Sequence, residues 1–318
     1  MTMTADAATA ASAHAEPLRT VYRPPHPLNL LRTVGVLARG PKDPTMFVEG
    51  STLWRAARTP AGVSTVALRQ THEGVHATAW GPGAEWTLGQ LPRLCGADDD
   101  ASGFDVSGHP MLAAIAHRTV GTRLTRTDLV FDALVCATLE QKVTSLQAFG
   151  AWRVLVTRFG ERAPGPAPRT LFAPPSVDGW RRIPSWAWHR AGVEPPQSRT
   201  IVRTAERGQR VADAVLAAQG GAERERVLTS LPGIGAWTSA ETRIRALGDP
   251  DAVSVGDYHL AHQVGYALTG SRVDDDGMLE LLAPWAGHRQ RVIRLILAGG
   301  PREPRRGPRL APEDHRRR

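Results

Sequence analysis

The residues of this 318-residue chain best suited to chemistry are the stretch Leu231-Pro-Gly-Ile-Gly-Ala-Trp-Thr-Ser-Ala240 and an aspartate twenty positions after Trp237, Asp257 in Val-Ser-Val-Gly-Asp-Tyr-His-Leu. Pro232-Gly233 ends a helix predicted over 222–230, and a second helix is predicted from near Ala236 to about Leu247. Gly233 and Gly235 allow positive φ and a close backbone approach. Amides at the start of the second helix lack intrahelical partners, so the turn is suited to hold an anion. A fixed carboxylate nearby suits chemistry that builds positive charge. The bland alternative is a helix cap for the glycines and a turn role for the aspartate.

Other chemistries find less support. The Gly-x-Gly lacks both a third glycine and a preceding strand, so a dinucleotide loop fails. There is no Gly-x-Ser-x-Gly elbow and no Walker loop. His259 and His262 form Asp-x-His-x-x-His with Asp257, a spacing able to cap a divalent metal, but no further ligand is evident and a phosphate-facing or surface role is preferred. Asp274-Asp275-Asp276 reads as N-cap chemistry for the next helix. Two cysteines, Cys95 and Cys136, exclude a disulfide framework and a four-thiolate cluster.

The hairpin, the Asp257 loop and an upstream helix containing Leu139-Glu-Gln-Lys-Val143 together resemble the helix-hairpin-helix DNA glycosylases, nearest the bacterial 3-methyladenine DNA glycosylase II branch. The likeness spans roughly residues 17–300. It implies that Asp257 stabilises the oxocarbenium-like sugar or activates water while a flipped base is released. Trp237 stands where bifunctional relatives carry a nucleophilic lysine, which implies a monofunctional enzyme without lyase activity. Trp237, Tyr258 and Trp285 match the aromatic base pocket, with core packing as the alternative for Trp237 and Trp285. Glu241 stands where that branch often has another aromatic; facing the pocket, it would accept hydrogen bonds from a base edge or favour a cation, and otherwise it is an exposed helix glutamate. Gln141 and Lys142 match the loop that fills the gap left by the flipped nucleotide, with the lysine a charged departure suited to phosphate. Gly233 and Gly235 would grip one phosphate, and the carbonyls of Thr229, Leu231 and Ile234 would hold a monovalent cation. Relatives with an iron–sulfur loop exist, but this chain lacks the cysteines for one.

The elements that must position these groups fall into two parts. Residues 1–17 are expected to be disordered, 18–100 to form an α+β module, 101–300 an all-α helix-hairpin-helix glycosylase domain, and 301–318 a basic disordered tail. The module is predicted as a helix over 26–38, strands over 46–49, 52–58, 64–70 and 75–80 in an antiparallel sheet, and a helical turn over 84–95. An acidic, glycine-containing stretch, 97–104, is the expected boundary. Helices follow over 127–146, apolar on most sides and therefore central, then 148–159, short helices over 168–172, 177–182 and 184–191, and a long one over 198–218. Segments 258–268, 277–283 and 288–298 complete the helical core.

Net charge is +8, of which the tail supplies seven arginines against three acids, so the body is only mildly basic. That suits a few phosphate contacts rather than a histone-like coat. No apolar run reaches a membrane span, and no secretory signal opens the chain, so a cytoplasmic, nucleoid-associated monomer is expected. The expected partner is lesion-containing double-stranded DNA, bound without sequence specificity. Competing readings are a noncatalytic hairpin DNA-binding protein and a glycosylase for a deaminated or ring-opened base.

Overall fold

The structure is a computed structural model that describes residues 16–303. Most of the 1–17 segment and of the 301–318 tail, both expected to be disordered, lies outside the described residues. The first part is a five-stranded antiparallel sheet of order β1-β5-β4-β3-β2, built from β1 Leu18–Tyr22, β2 Met46–Glu49, β3 Thr52–Thr59, β4 Gly62–Thr71 and β5 Gly74–Trp80. Two-residue turns set the register, with Glu49 opposite Thr52, Thr59 opposite Gly62, and Thr71 opposite Gly74. In β5 the inward set Val75, Ala77 and Ala79 alternates with more exposed residues, as one buried sheet face requires. That face packs on Leu30, Val34, Leu91 and Leu94.

Several boundaries differ from the sequence reading. Strand β1 was not expected: it is an edge strand, mostly exposed, with no clean apolar alternation. The helix expected over 26–38 shrinks to α1 Leu30–Val34, because the Asn29 side chain accepts from Arg32 N and fixes the start; a 3-10 turn, Gly35–Leu37, follows. The helical turn resolves into α2 Ala84–Gly89 and α3 Leu91–Leu94. The acidic stretch after it is no loose tether: Asp99 is buried and pairs with Arg123 and, at 2.6 Å, with Arg291.

The helical part begins with α4 Pro110–Arg118 and the central α5 Val130–Leu139, buried on nearly every side. The helix expected to reach residue 146 stops at Leu139, since Thr144 and Gln147 form a capping box that starts α6 Ser145–Phe159. The segment expected to be helical over 168–172 instead ends in β7 Phe172–Ala173, paired with β6 Glu161–Arg162 and held by Phe172 N donating to Pro44 O. Then come α7 Val177–Arg181 and α8 Ser185–Ala191. The long 198–218 helix is two, α9 Pro195–Ala205 and α10 Gly208–Ala217; Gly208 lies so close to Val177 that a Cβ would sit 2.5 Å from its Cγ1. Trp152, Trp180 and Trp188 stack in series at centroid spacings of 6.1 and 5.9 Å at the heart of the α5–α9 core. The chain ends with α11 Gly220–Thr229, α12 Ala236–Leu247, α13 Leu260–Thr269, α14 Asp275–Leu282 with a 3-10 turn Ala283–Trp285, and α15 Arg289–Gly299. Asp274 caps α14 by accepting from Gly277 N at 2.9 Å.

Candidate active site

Helices α11 and α12 form the hairpin, and its turn sorts residues by side. Leu231 and Ile234 are buried against Val130, Leu134, Leu228 and Ala246, while Pro232, Gly233 and Gly235 are exposed. The two apolar anchors thus hold a turn whose backbone faces outward. Gly233 has φ of +90°, and a Cβ there would meet Thr200 Oγ1 at 2.2 Å, so only glycine fits. Gly235 is the N-cap of α12, with no side-chain hydrogen bond to the first amides. Those amides and the positive helix end suit an anion.

The loop after α5 is fastened to this hairpin. Gln141 Nε2 donates to Gly233 O at 3.0 Å and to Thr238 Oγ1 at 2.9 Å, and buried Gln197 donates to the carbonyls of Leu139 and Gln141. The amide of Gln141 therefore holds the loop in place. Lys142 stands at its tip, exposed, with φ of +56°. A left-handed lysine costs about 1–3 kcal/mol, offset by these ties. Leu146, the second residue of α6 and four positions after Lys142, is 73% exposed.

Asp257 precedes α13 and is half-buried. Its Oδ1 accepts from the amides of His259 at 2.9 Å and Leu260 at 3.0 Å. Its Oδ2 accepts from Trp237 Nε1 at 3.0 Å. An ionised carboxylate offers about four acceptor positions, so three donors leave one outward. Val253, Val255 and Leu260 root the loop in the apolar cluster of α4, α13, α14 and α15.

The other expected pocket residues are placed differently. Tyr258 does not line an enclosed pocket: it is 76% exposed, its ring edge-on to His259. Trp285 shares the apolar cluster of Val255 and Leu260, but its indole donates to Asp105 O at 2.8 Å and its ring meets His109. Glu241 presents no free carboxylate to a base. Oε1 accepts from Ser254 Oγ at 2.5 Å and Oε2 pairs with Arg245, one turn on. Burial opposes its charge, but Arg245, Ser254 and Arg39 outweigh burial and hold its pKa below the ordinary glutamate value. Burial likewise opposes the charge of Arg245, and Glu241 and Glu140 more than restore it. Glu140 in turn pairs with Arg39 of the sheet part at 2.5 Å. Of the cation-site carbonyls, that of Leu231 accepts from Ile234 N, which leaves one lone pair. Among the described residues no group of three or more His, Cys, Asp or Glu side chains is placed to hold a metal. Burial pushes the thiols of Cys95 and Cys136 up to about 12.

Sequence reasoning missed several neighbours. Ser254, Arg245, Gln197 and Thr200 fix the site from buried or half-buried positions. The Glu241–Arg245 spacing of four was a legible signal. Exposed Arg207 and Arg210 line a groove of about 250 Å³ with Ser230 and Leu231 beside the hairpin, and only folding brings them there. A second cavity, of about 60 Å³, lies between the sheet and α5, lined by Arg39, Arg55, Asp132, Cys136 and Arg245. Burial pushes the Asp132 carboxyl up to about 7 against the pull of Arg55 and Arg58.

This geometry can be set beside known proteins. No family model matches the chain. A Mycobacterium tuberculosis protein described as a probable bifunctional transcriptional activator/DNA repair enzyme AlkA is 29% identical over 167 residues, covering 52% of this chain and 32% of that protein. The chain thus spans about a third of the length of the curated relatives it matches. The structure of a 3-methyladenine DNA glycosylase from Archaeoglobus fulgidus is similar with a TM-score of 0.73 and 19% identity, covering 88% of this chain and 97% of that one. The chain therefore has the fold of the helix-hairpin-helix DNA glycosylase superfamily, a sheet module followed by a helical domain. An 8-oxoguanine glycosylase/lyase from Clostridium acetobutylicum, solved with double-stranded DNA, follows at TM-score 0.67 and 11% identity, covering 86% of this chain and 91% of that one. No helix among the described residues is long and apolar enough to cross a membrane.

Proposed function

We propose that the protein is a DNA glycosylase of base excision repair that extrudes a damaged base and hydrolyses its N-glycosidic bond without cutting the strand. The observation that carries this is the 3.0 Å hydrogen bond from Trp237 to Asp257. It joins the acid to the helix whose first amides form the phosphate grip. A duplex phosphate held at Gly233 and Gly235 would set the neighbouring nucleotide in register, and phosphate contacts of this kind carry no sequence code. As the glycosidic bond breaks, positive charge grows on the deoxyribose. A carboxylate already fixed by three donors stabilises that charge without reorganising.

The side chain at position 237 supports hydrolysis without lyase chemistry. Schiff-base attack needs an amine, and the indole of Trp237 has none. Lys42 and Lys142 are the only lysines in the chain. Alkylated purines are the proposed substrates: the face of Trp237 beside Asp257 suits an electron-poor, cationic base, and the Archaeoglobus protein of similar fold is a 3-methyladenine DNA glycosylase. The carbonyls of Thr229, Leu231 and Ile234 would hold a monovalent cation, since three neutral oxygens of one turn suit such an ion.

A second reading has its own observation. Asp257 Oδ1 also caps the first turn of α13, which a noncatalytic DNA-binding hairpin protein would need equally. One experiment separates the two: incubation with duplexes carrying alkylated, oxidised or deaminated bases, then alkaline cleavage at abasic sites. Base release from one duplex class, lost in Asp257→Asn, is expected. DNA binding with no base release from any duplex selects the binding reading. Borohydride treatment is expected to trap no covalent complex; an adduct would refute the absence of lyase chemistry.

A further inference from the structure

We infer that Glu241 is a positioning residue for Asp257, acting through Ser254 as the second of two fastenings between the acid's loop and α12. The inference rests on the reading of Asp257 as the residue that faces the sugar. Trp237, Glu241 and Arg245 are spaced by four along α12 and share one face, each a turn of about 5–6 Å beyond the last. The first two reach the same loop. Trp237 Nε1 donates to Asp257 Oδ2 at 3.0 Å, and Ser254 Oγ donates to Glu241 Oε1 at 2.5 Å. Within the loop, Asp257 N donates to Ser254 O at 3.2 Å. The path from α12 through Trp237, Asp257, Ser254 and Glu241 back to α12 is therefore a closed ring.

One fastening to α12 would let the Asp257 loop, which Asp275 also holds by accepting from Gly256 N at 2.9 Å, turn about the indole relative to that helix. Two, a helical turn apart, fix both its distance and its direction. Ser254 is 3% exposed and so has no water to replace Glu241 as a partner. The Glu241 side chain, 13% exposed, is held in turn by the Arg245 ion pair, with Arg39 and Glu140 close enough to act on the pair's charges. Removing Glu241 outright would leave the half-buried Arg245 without its partner, which perturbs α12 rather than the loop alone. That explains why a charged residue stands at a position facing the catalytic loop although it offers nothing to a base. It also gives the sheet part a role at the site, since Arg39 anchors Glu140 at the far end of the same charge row.

The test uses Ser254→Ala, which removes the fastening and leaves the Glu241–Arg245 pair whole, with Ser254→Thr as the conservative partner that keeps a hydroxyl donor for Glu241. Two quantities are measured in the full-length protein: single-turnover base release and hydrogen exchange of the His259 and Leu260 amides that Asp257 holds. Ser254→Ala is expected to slow base release about tenfold at unchanged KM and to speed exchange at both amides by a similar factor relative to the α5 core. Ser254→Thr should lose less than about threefold in rate, as a retained hydrogen bond requires. Exchange at His259 and Leu260 unchanged in Ser254→Ala overturns the inference, whatever the rate. Faster exchange in a protein that releases no base from any duplex leaves the fastening intact and refutes the glycosylase reading instead.

Discussion

Asp257→Asn is the substitution on which the mechanism can be tested most sharply, because the structure lets its effects be separated. Asparagine keeps an oxygen for the His259 and Leu260 amides and is as good a helix cap as aspartate, so the first turn of α13 stays capped. What is lost is the charge, and with it the acceptor at Oδ2 for the Trp237 indole. An NH2 facing an indole N–H leaves two donors together, a local cost of about 1–3 kcal/mol. Trp237 is half-buried and can turn toward water, which reduces that cost. The melting temperature should fall by about 2–4 °C per kcal/mol lost in a chain of this size.

The rate should change far more. A unit charge about 4 Å from a developing cation, at an effective dielectric near 20, is worth roughly 4 kcal/mol. At about 1.4 kcal/mol per decade, that is close to a thousandfold in the bond-breaking step. The assay is single-turnover release with enzyme in excess over modified duplex, abasic sites being revealed by alkali. Duplex affinity, measured alongside, should stay near wild type, since the grip lies in the hairpin amides and not in the acid. A folded Asp257→Asn protein that releases base within about tenfold of wild type would refute the electrostatic argument, because 4 kcal/mol would then be absent.

Other outcomes follow from neighbouring features. Gly233→Ala puts a Cβ 2.2 Å from Thr200 Oγ1 at a φ of +90° and should lower the melting temperature by several degrees and weaken duplex binding at least about tenfold, read by thermal denaturation and anisotropy. Arg207→Ala and Arg210→Ala should each reduce the slope of log affinity against log salt by about 0.9 if each side chain neutralises one phosphate beside the hairpin; an unchanged slope removes that residue from the interface. The folded pKa of Asp132, near 7, lies above its ordinary value of 3.8, so the native state holds the proton where the unfolded chain has lost it. That contribution is complete below about pH 4 and is lost as pH rises toward 7. Asp132→Asn should therefore flatten the fall in melting temperature between pH 5 and about pH 8, and an unaltered profile would show that the carboxyl ionises freely.

The parts of this molecule legible in the sequence are those where local pattern and tertiary need agree. The β-hairpins were marked by glycine and polar turn residues at two-residue spacing, and α5 by apolar residues on all sides. The Leu231–Trp237 turn was legible because its buried anchors and exposed glycines alternate in a fixed order. Asp257 was legible through its spacing from that turn, which the indole contact explains. The remainder depended on distant residues. Gly208 opens α10 at a place where Val177 leaves no room for a Cβ, and Phe172 pairs as strand with its amide donating to the Pro44 carbonyl. The aromatic reading of the pocket failed at Tyr258 for a similar reason. Its side chain is 76% exposed and its ring meets His259 edge-on, an arrangement that local spacing does not encode. Glu241 was misread because its partner Ser254, thirteen residues away, is invisible to helical periodicity.

One consequence concerns how two distant tasks are kept in register. The phosphate grip and the acid belong to different loops, 233–235 and 254–257, and neither could position the other through the chain between them. Helix α12 does it instead. Its first turn supplies the open amides, its Trp237 and Glu241 hold the acid's loop, and its last turns are clamped by Arg243 to Asp249 and Glu225 at 2.6 and 2.9 Å. The Arg243 clamp joins α12 to α11 and to the chain that leaves toward Asp257. A displacement of α12 therefore moves the hairpin amides and the acid together, whereas a displacement of the 254–257 loop alone must break a hydrogen bond to a charged group, at roughly 1.5–3 kcal/mol. The distance from the hairpin amides to the Asp257 carboxylate is thus set by one helix. A turn added to α12 between Trp237 and Glu241 would carry Glu241 about 5 Å further along the axis, so that the Asp257 and Ser254 contacts could no longer form together.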